Sequence, residues 1–112
     1  MIFVFGSNEA GRHGKGAALF ARQNHGAIYG KGVGLQGNSY AIPTKDKNIR
    51  TLPLSSIEKY VDEFLEFAAC NQQLEFNVTR VGCGLAGYTD QQIAPLFKAA
   101  KNLPNVHLPS GW

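Results

Sequence analysis

Two glycine-rich segments constrain the fold of this chain more than any other feature, because each lies between an apolar run and a stretch with helical periodicity. The first covers residues 8–16 and the second residues 82–89. Glycine adopts positive φ readily and lets backbone amides approach a ligand closely, because it has no Cβ. Where such a loop opens a helix, free amides and the helix dipole favour a bound phosphate. The pattern therefore predicts an α/β domain with an anion site formed by two loops.

The order of the elements supports this class. Short apolar runs predict strands at residues 2–5, 40–42, 76–81 and 105–108. Helical spacing predicts helices at about 16–24, from Ser55 to about Cys70, and after Thr89. The length of 112 residues leaves room for one domain only, so we expect a mixed sheet covered by about three helices across residues 1–112.

Local signals define the ends and inner faces of the predicted helices. The first helix is expected to pack Ala17, Phe20 and Ala21 inward. Capping boxes at Ser55–Glu58 and Thr89–Gln92 are expected to begin the other two helices.

Charge and hydropathy narrow the class of partner. Eleven Lys and Arg against eight Asp and Glu give a net charge of +3, which suits an anionic ligand. The basic residues are scattered, whereas a domain that binds a nucleic-acid duplex usually has a denser basic stripe. No stretch reaches the roughly 20 apolar residues of a membrane span, and the N-terminal run is typical of a strand rather than a signal peptide. We expect a cytoplasmic protein with no membrane partner and no strong nucleic-acid footprint.

Cysteine and histidine usage gives no sign of a metal or another cofactor. Cys70 and Cys83 are expected to be reduced thiols, because a chain without a signal sequence rarely carries disulfides. The three histidines and Cys83 lack the spacing of metal ligands. We therefore expect neither zinc nor any bound cofactor.

A third glycine-rich segment, residues 32–37, matches the dinucleotide fingerprint GxGxxG letter by letter. Its context does not fit, because a strand rather than a helix follows it. We expect a flexible or hairpin-like loop there, or a lid, with direct ligand contact the less favoured alternative.

Three motifs in order resemble the macrodomain superfamily, whose members bind ADP-ribose. Residues 7–19 resemble its first ligand loop, and residues 81–88 resemble the second loop, which grips the diphosphate. Between them, Ile42–Lys45 followed by a serine and an amphipathic helix resembles the branch of terminal ADP-ribose protein glycohydrolases and DNA ADP-ribosyl glycohydrolase antitoxins. The resemblance covers roughly residues 3–98. It implies a compact three-layer α/β/α fold and a site for ADP-ribose or an ADP-ribosylated substrate.

The chain departs from this family at three places. It lacks the usual first strand with its Gly-Asp pair, whose aspartate holds adenine. Ala86 stands where the protein glycohydrolases carry a second catalytic group, an aspartate. Asp46, Lys47 and Asn48 replace the aromatic residue and the histidine that often follow the Pro-Thr-Lys motif.

The two loops supply the candidate ligand contacts, which are expected to surround a diphosphate and its ribose. These residues are Gly6, Ser7, Asn8, Gly14, Lys15, Gly16, Ala17, Gly82, Cys83, Gly84, Leu85, Ala86, Gly87 and Tyr88. Gly84 is expected to need positive φ. Cys83 is expected to fill space in the loop, and Tyr88 either covers a ribose or anchors the loop to the core.

The candidate catalytic residues are Lys45, Asn8 and His13. A desolvated Lys45 could attack the anomeric carbon of ribose; the alternative is a solvated loop lysine, and Lys47 is its rival for the role. The resemblance gives Asn8 a contact with the distal ribose, while its alternative role is to bond its own loop backbone. His13 could donate to a phosphate or act as a base, although a lone histidine is more often structural.

Two functions remain open at this point. The favoured one is a hydrolase that cleaves an ADP-ribosyl linkage on protein or nucleic acid, and Lys45 in its motif supports it. The other is a binding or sequestering module without catalysis, which Ala86 supports.

Overall fold

A five-stranded mixed sheet forms the centre of the computed structural model, which describes residues 1–112. Its strands are β1 (Ile2–Asn8), β2 (Gly34–Gln36), β3 (Ser39–Lys45), β4 (Phe76–Val78) and β5 (Val106–His107). They lie in the order β2-β3-β1-β4-β5. β1 is parallel to β3 and β4, β4 is parallel to β5, and only β2 is antiparallel to its neighbour. The carboxyl ends of the three central strands therefore meet at one edge of the sheet.

The three predicted helices are present. They are α1 (Gly16–Asn24), α2 (Leu54–Ala69) and α3 (Asp90–Ile93), and α3 continues as a 3₁₀ helix over Ala94–Asn102. The sequence suggested one regular amphipathic helix in the last region. Pro95 explains the change of geometry, because proline has no amide hydrogen and its ring crowds the carbonyl of the preceding turn. None of these helices is long and apolar enough to cross a membrane.

Side-chain alternation along the strands creates two cores, one on each face of the sheet. Val4 and Ile42 point to a large core shared with α2 and the 3₁₀ helix. Phe5 and Ala41 point to a small core shared with α1. The chain thus has three layers, with the sheet between α1 on one face and the other helices on the opposite face.

The small core corrects the expected inner face of α1. Ala21 is fully buried, as expected, but Ala18 is the second buried residue of the helix. Ala17 and Phe20 are exposed, and Ala17 faces the cleft described below. Small side chains let α1 approach the sheet closely.

Several element ends differ from the sequence interpretation. β3 continues through Pro43 to Lys45, and β1 extends to Asn8, because the two strands keep pairing beyond the proline. β4 stops at Val78, three residues before the expected end.

Of the two capping boxes, one is wrong and one is confirmed. α2 begins at Leu54 after Pro53, with no capping hydrogen bond from a side chain, so the box at Ser55–Glu58 is wrong. Proline supplies the fixed φ for this start without a side-chain cap. The box at Thr89 and Gln92 is confirmed, with both of its hydrogen bonds present.

The GxGxxG segment forms part of a β-hairpin rather than a lid. Residues 34–36 are β2, which pairs with β3 across a tight turn at Gly37 and Asn38. Gln36 is buried, and its amide group bonds the backbone of Ile28, Lys31 and Gly34. The segment therefore organises the chain that returns from α1 to the sheet.

Candidate functional site

A cleft of about 930 Å³ opens at the carboxyl edge of the central strands. After β1 the chain forms α1 and returns to the sheet at β2 and β3, toward one end of the strand order. After β4 it forms α3 and returns at β5, toward the opposite end. This divergence is a topological switch point, which is where open α/β sheets bind ligands. The two glycine-rich loops form opposite walls of the cleft.

Charge distinguishes the cleft from the remaining surface. Its lining includes the cationic residues Arg12, Lys15, Lys45 and Arg80 and no aspartate or glutamate. The chain has only two ion pairs, Arg80 with Asp90 at 2.8 Å and His107 with Glu75 at 2.6 Å. Three of the four lining cations therefore have no carboxylate partner. A ligand with negative charge would complete this site.

The first loop presents a row of unpaired amides. The backbone N–H groups of Gly14 through Ala18 donate to no acceptor within the chain. They comprise the end of the loop and the first turn of α1, which has no acidic residue in that turn. Free amides at a helix N-terminus favour a bound anion, since the helix dipole is positive there. This is the arrangement that the first glycine-rich segment predicted.

A close backbone approach holds this loop in place. Gly11 has φ of +70°, and a Cβ there would lie 2.3 Å from the carbonyl carbon of Gly30. The amide of Gly30 in turn donates to the Gly11 carbonyl at 2.8 Å. Only glycine allows this contact, which ties the first loop to the segment after α1.

The second loop presents another set of amides across the cleft. The N–H groups of Gly84, Leu85 and Ala86 have no acceptor within the chain. The helix that follows, α3, has only four residues, so this wall acts through its amides rather than through a helix dipole. The leucine side chain reaches the opposite loop, because a Cβ on Gly16 would lie 3.4 Å from Leu85 Cδ1.

The expected positive φ of Gly84 is wrong. Gly82 and Gly87 take the left-handed conformations of this loop instead, with φ of +78° and +87°. A Cβ on Gly84 would meet no atom within 4 Å, because the position faces open space in the cleft. Its absence of a side chain thus leaves room for a ligand rather than relieving strain.

Lys45 lies where the sequence placed it, at the end of β3 and in the cleft. Ser7 pairs with Pro43 and Asn8 pairs with Lys45, so Thr44 is the extra residue of a bulge. A bulge redirects the side chains at the end of a strand, and bulges are frequent beside functional sites. Lys47 lies outside the lining, in the exposed turn that follows.

The structure gives Asn8 its alternative role. Its side-chain oxygen accepts from the Arg12 amide at 2.9 Å, and its side-chain nitrogen donates to the Arg12 carbonyl at 3.0 Å. The residue lines the cleft but is almost fully buried. Asn8 therefore braces the first loop from inside, and both ends of its amide are engaged.

His13 is not part of the cleft. The side chain is completely buried, and its ring packs edge-on against Phe5 with centroids 5.3 Å apart. Its Nε2 donates toward the Lys31 carbonyl at 3.0 Å and toward Gln36 Oε1 at 3.2 Å. Both neighbours are acceptors, so the proton sits on Nε2. The expected phosphate contact or base is thus wrong, because the ring faces the core under the loop.

Of the predicted contacts in the second loop, some line the cleft and others lie outside it. Cys83 lines the cleft, and burial, together with the nearby Asp90, raises the pKa of its thiol, so the thiolate is disfavoured. Tyr88 lies outside the lining and donates its hydroxyl to the Leu52 carbonyl at 2.6 Å, so it anchors the loop. Gly87 also lies outside the lining. Apart from Gly87 and Tyr88, the predicted contacts all line the cleft, and these are Gly6, Ser7, Asn8, Gly14, Lys15, Gly16, Ala17, Gly82, Cys83, Gly84, Leu85 and Ala86.

Sequence reasoning predicted only Leu85 of the apolar rim of the cleft and missed its other two residues. Tyr29, Ile49 and Leu85 are large apolar residues that remain exposed, and all three line it. Ile49 has φ of +62°, which is unusual for a β-branched residue and marks a tightly constrained turn. Two of the three come from loops that carry no glycine motif of the site, so only the fold brings them there.

Comparison with protein families, curated proteins and solved structures gave no significant match for this chain. The chain contains no group of three or more His, Cys, Asp and Glu side chains placed to hold a metal ion. What the cleft offers is positive charge, two rows of free amides and a partly apolar rim.

Proposed function

We propose that this cleft binds ADP-ribose or a closely related nucleotide, with the diphosphate held between the two loops. The carrying observation is that free amides of Gly14–Ala18 and of Gly84–Ala86 line opposite walls of a cleft that has four cations and no carboxylate. Phosphate oxygens accept well from such amides, and charge assistance makes these bonds stronger than neutral ones. The three-layer arrangement and the resemblance of both loops support a macrodomain-like fold.

The extent of the cleft favours a nucleotide over a free phosphate. A volume of about 930 Å³ is at the upper end for small-molecule sites and exceeds the needs of two phosphate groups. The apolar rim residues Tyr29, Ile49 and Leu85 suit the flat and partly apolar parts of a nucleotide. The free cysteines Cys70 and Cys83 fit a reducing, cytoplasmic setting, which we include in the proposal.

Hydrolysis of an ADP-ribosyl linkage is the second candidate function, and the position of Lys45 favours it. The side chain lines the cleft and forms neither an ion pair nor a hydrogen bond. As a neutral amine, Nζ would bond to the anomeric carbon while the bond to the modified group breaks and the leaving group departs with the electron pair. The proton of the resulting ammonium would pass to water, or to the leaving group where that group is the stronger base. Water would then cleave the ribosyl-lysine intermediate and restore the amine.

The absence of an acid limits the linkages that such a reaction could cleave. No carboxylate and no imidazole lines the cleft, so the protein offers no side chain of this kind to protonate a strongly basic leaving group. Esters of protein carboxylates need little protonation, because a carboxylate is a weak base. We therefore propose ester-linked ADP-ribose as the first substrate to test.

Binding is tested by thermal unfolding with ADP-ribose, ADP and inorganic pyrophosphate, each at millimolar concentration. A ligand that binds only the folded state raises Tm by mass action, so all three should raise it, ADP-ribose the most. Ribose without phosphate is the matched control and should leave Tm unchanged. No shift with any of the phosphate compounds would refute the proposed function.

A further inference from the structure

Tyr29 is the only aromatic side chain in the lining of the cleft. It is 55% exposed, although a large aromatic ring is usually buried to a greater extent. The guanidinium carbon of Arg22, on α1, lies 4.9 Å from the ring centroid and over the ring. One face of the ring therefore rests on a cation, and the other face has no aromatic or cationic partner.

The backbone on both sides of Tyr29 is held by hydrogen bonds, which fix the position of its Cα. The amide of Ile28 donates to Gln36 Oε1 at 2.8 Å, and the amide of Gly30 donates to the Gly11 carbonyl at 2.8 Å. The second bond joins this segment directly to the first ligand loop. The segment thus places Tyr29 beside the wall that carries the free amides of Gly14–Ala18.

The lack of carboxylates in the lining limits the ways in which the protein could hold a flat heterocyclic ring in the cleft. No aspartate or glutamate lines the cleft, so no side-chain carboxylate is available to accept a hydrogen bond from an exocyclic amino group. An exposed aromatic face remains, and nucleobases stack on such faces whatever their hydrogen-bonding pattern.

We propose that Tyr29, backed by Arg22, is a stacking subsite for a nitrogen heterocycle of the bound nucleotide. The inference rests on the proposed function, because it needs the diphosphate to lie between the loops. Such a ring has two sources: the base of the ADP half, or a ring attached to the distal ribose. The shared chemistry is stacking on Tyr29, and the choice of ligands separates the sources.

The test compares Tyr29→Ala, Tyr29→Phe and wild type by calorimetric titration with pyrophosphate, ADP, ADP-ribose and NAD⁺. Loss of a stacked base typically weakens binding about 5- to 150-fold. If the ring belongs to the ADP half, Tyr29→Ala weakens ADP, ADP-ribose and NAD⁺ by this factor. If it belongs to the distal ribose, only NAD⁺ binding weakens. In both cases pyrophosphate binding is unchanged and Tyr29→Phe behaves as wild type.

Phe20→Ala is the matched control, because Phe20 is a half-exposed aromatic residue that does not line the cleft. It should leave all four affinities unchanged. Equal affinities for Tyr29→Ala and wild type with every ligand would overturn the subsite, as would an equal loss for pyrophosphate. A wild-type protein that binds neither pyrophosphate nor ADP would instead refute the proposed function itself.

Discussion

Replacing Gly84 by valine should separate ligand binding from stability. A Cβ at this position meets no atom within 4 Å and the backbone is outside the left-handed region, so the folded chain accepts the side chain without strain. The added methyl groups occupy the cleft beside the free amides of Leu85 and Ala86. A phosphate could then no longer reach them.

The size of the effect follows from the bonds that would be lost. A hydrogen bond to a charged group contributes about 1.5–3 kcal/mol, so each lost amide contact raises Kd about 10- to 150-fold. At a ligand concentration of 100 times Kd, wild type gains about 2.7 kcal/mol, which corresponds to a rise in Tm of roughly 10 °C for a chain of this size. A variant with a 100-fold weaker Kd would keep only about 1–2 °C of that rise.

Gly32→Ala is the control, because its added Cβ would lie 2.2 Å from the Asn8 carbonyl oxygen. It should lower the Tm of the free protein, since overpacking costs roughly 1–3 kcal/mol. Differential scanning fluorimetry with and without ADP-ribose measures both effects. A Gly84→Val protein with a normal Tm and a full ligand-induced shift would refute the assignment of the second loop to the diphosphate.

Three further predictions concern single side chains. Lys45→Ala should reduce turnover of ester-linked ADP-ribose by about two orders of magnitude or more with little change in affinity for free ADP-ribose, whereas Lys47→Ala should leave turnover unchanged. Retained turnover in the Lys45→Ala variant would exclude Lys45 as the nucleophile. His13→Ala should destabilise the fold by about 2–4 kcal/mol in urea unfolding, because it removes a buried ring and its hydrogen bonds; an unchanged midpoint would contradict its structural role. Because the pKa of Cys83 is raised, its thiolate forms only at more alkaline pH than usual. Iodoacetamide should therefore label the exposed Cys70 faster than Cys83 at neutral pH, and the difference in labelling rate should shrink as the pH rises. Peptide mass spectrometry that found Cys83 labelled first would contradict that pKa shift.

The strongly patterned elements could be predicted from the sequence. The bounds of α1 agree with the expected 16–24, and α2 ends at Ala69, within one residue of the expected end. The two glycine-rich loops also lie on one cleft, because parallel strands place their following loops at a single edge. These features depend on local periodicity and on one topological rule.

The roles of individual polar residues depend on contacts that are distant in the chain. His13 is buried because residues 31 and 36 return over the loop and accept hydrogen bonds from its Nε2, and neither neighbour is local in sequence. Asn8 uses its amide on its own loop, an alternative that residue type alone could not decide. Tyr29 carries no motif, and its segment is held at the cleft by the contact between Gly11 and Gly30 and by the bond from Ile28 to Gln36, which are distant in sequence.

The central claim is that the free amides of the two loops hold a diphosphate, and an amide-resolved NMR titration with ADP-ribose tests it most directly. The amide signals of Gly14–Ala18 and Gly84–Ala86 should shift together along one binding curve, because these groups acquire phosphate acceptors. Pyrophosphate should move the same two sets. Shifts confined to other parts of the chain, or none at saturating ADP-ribose, would contradict the account.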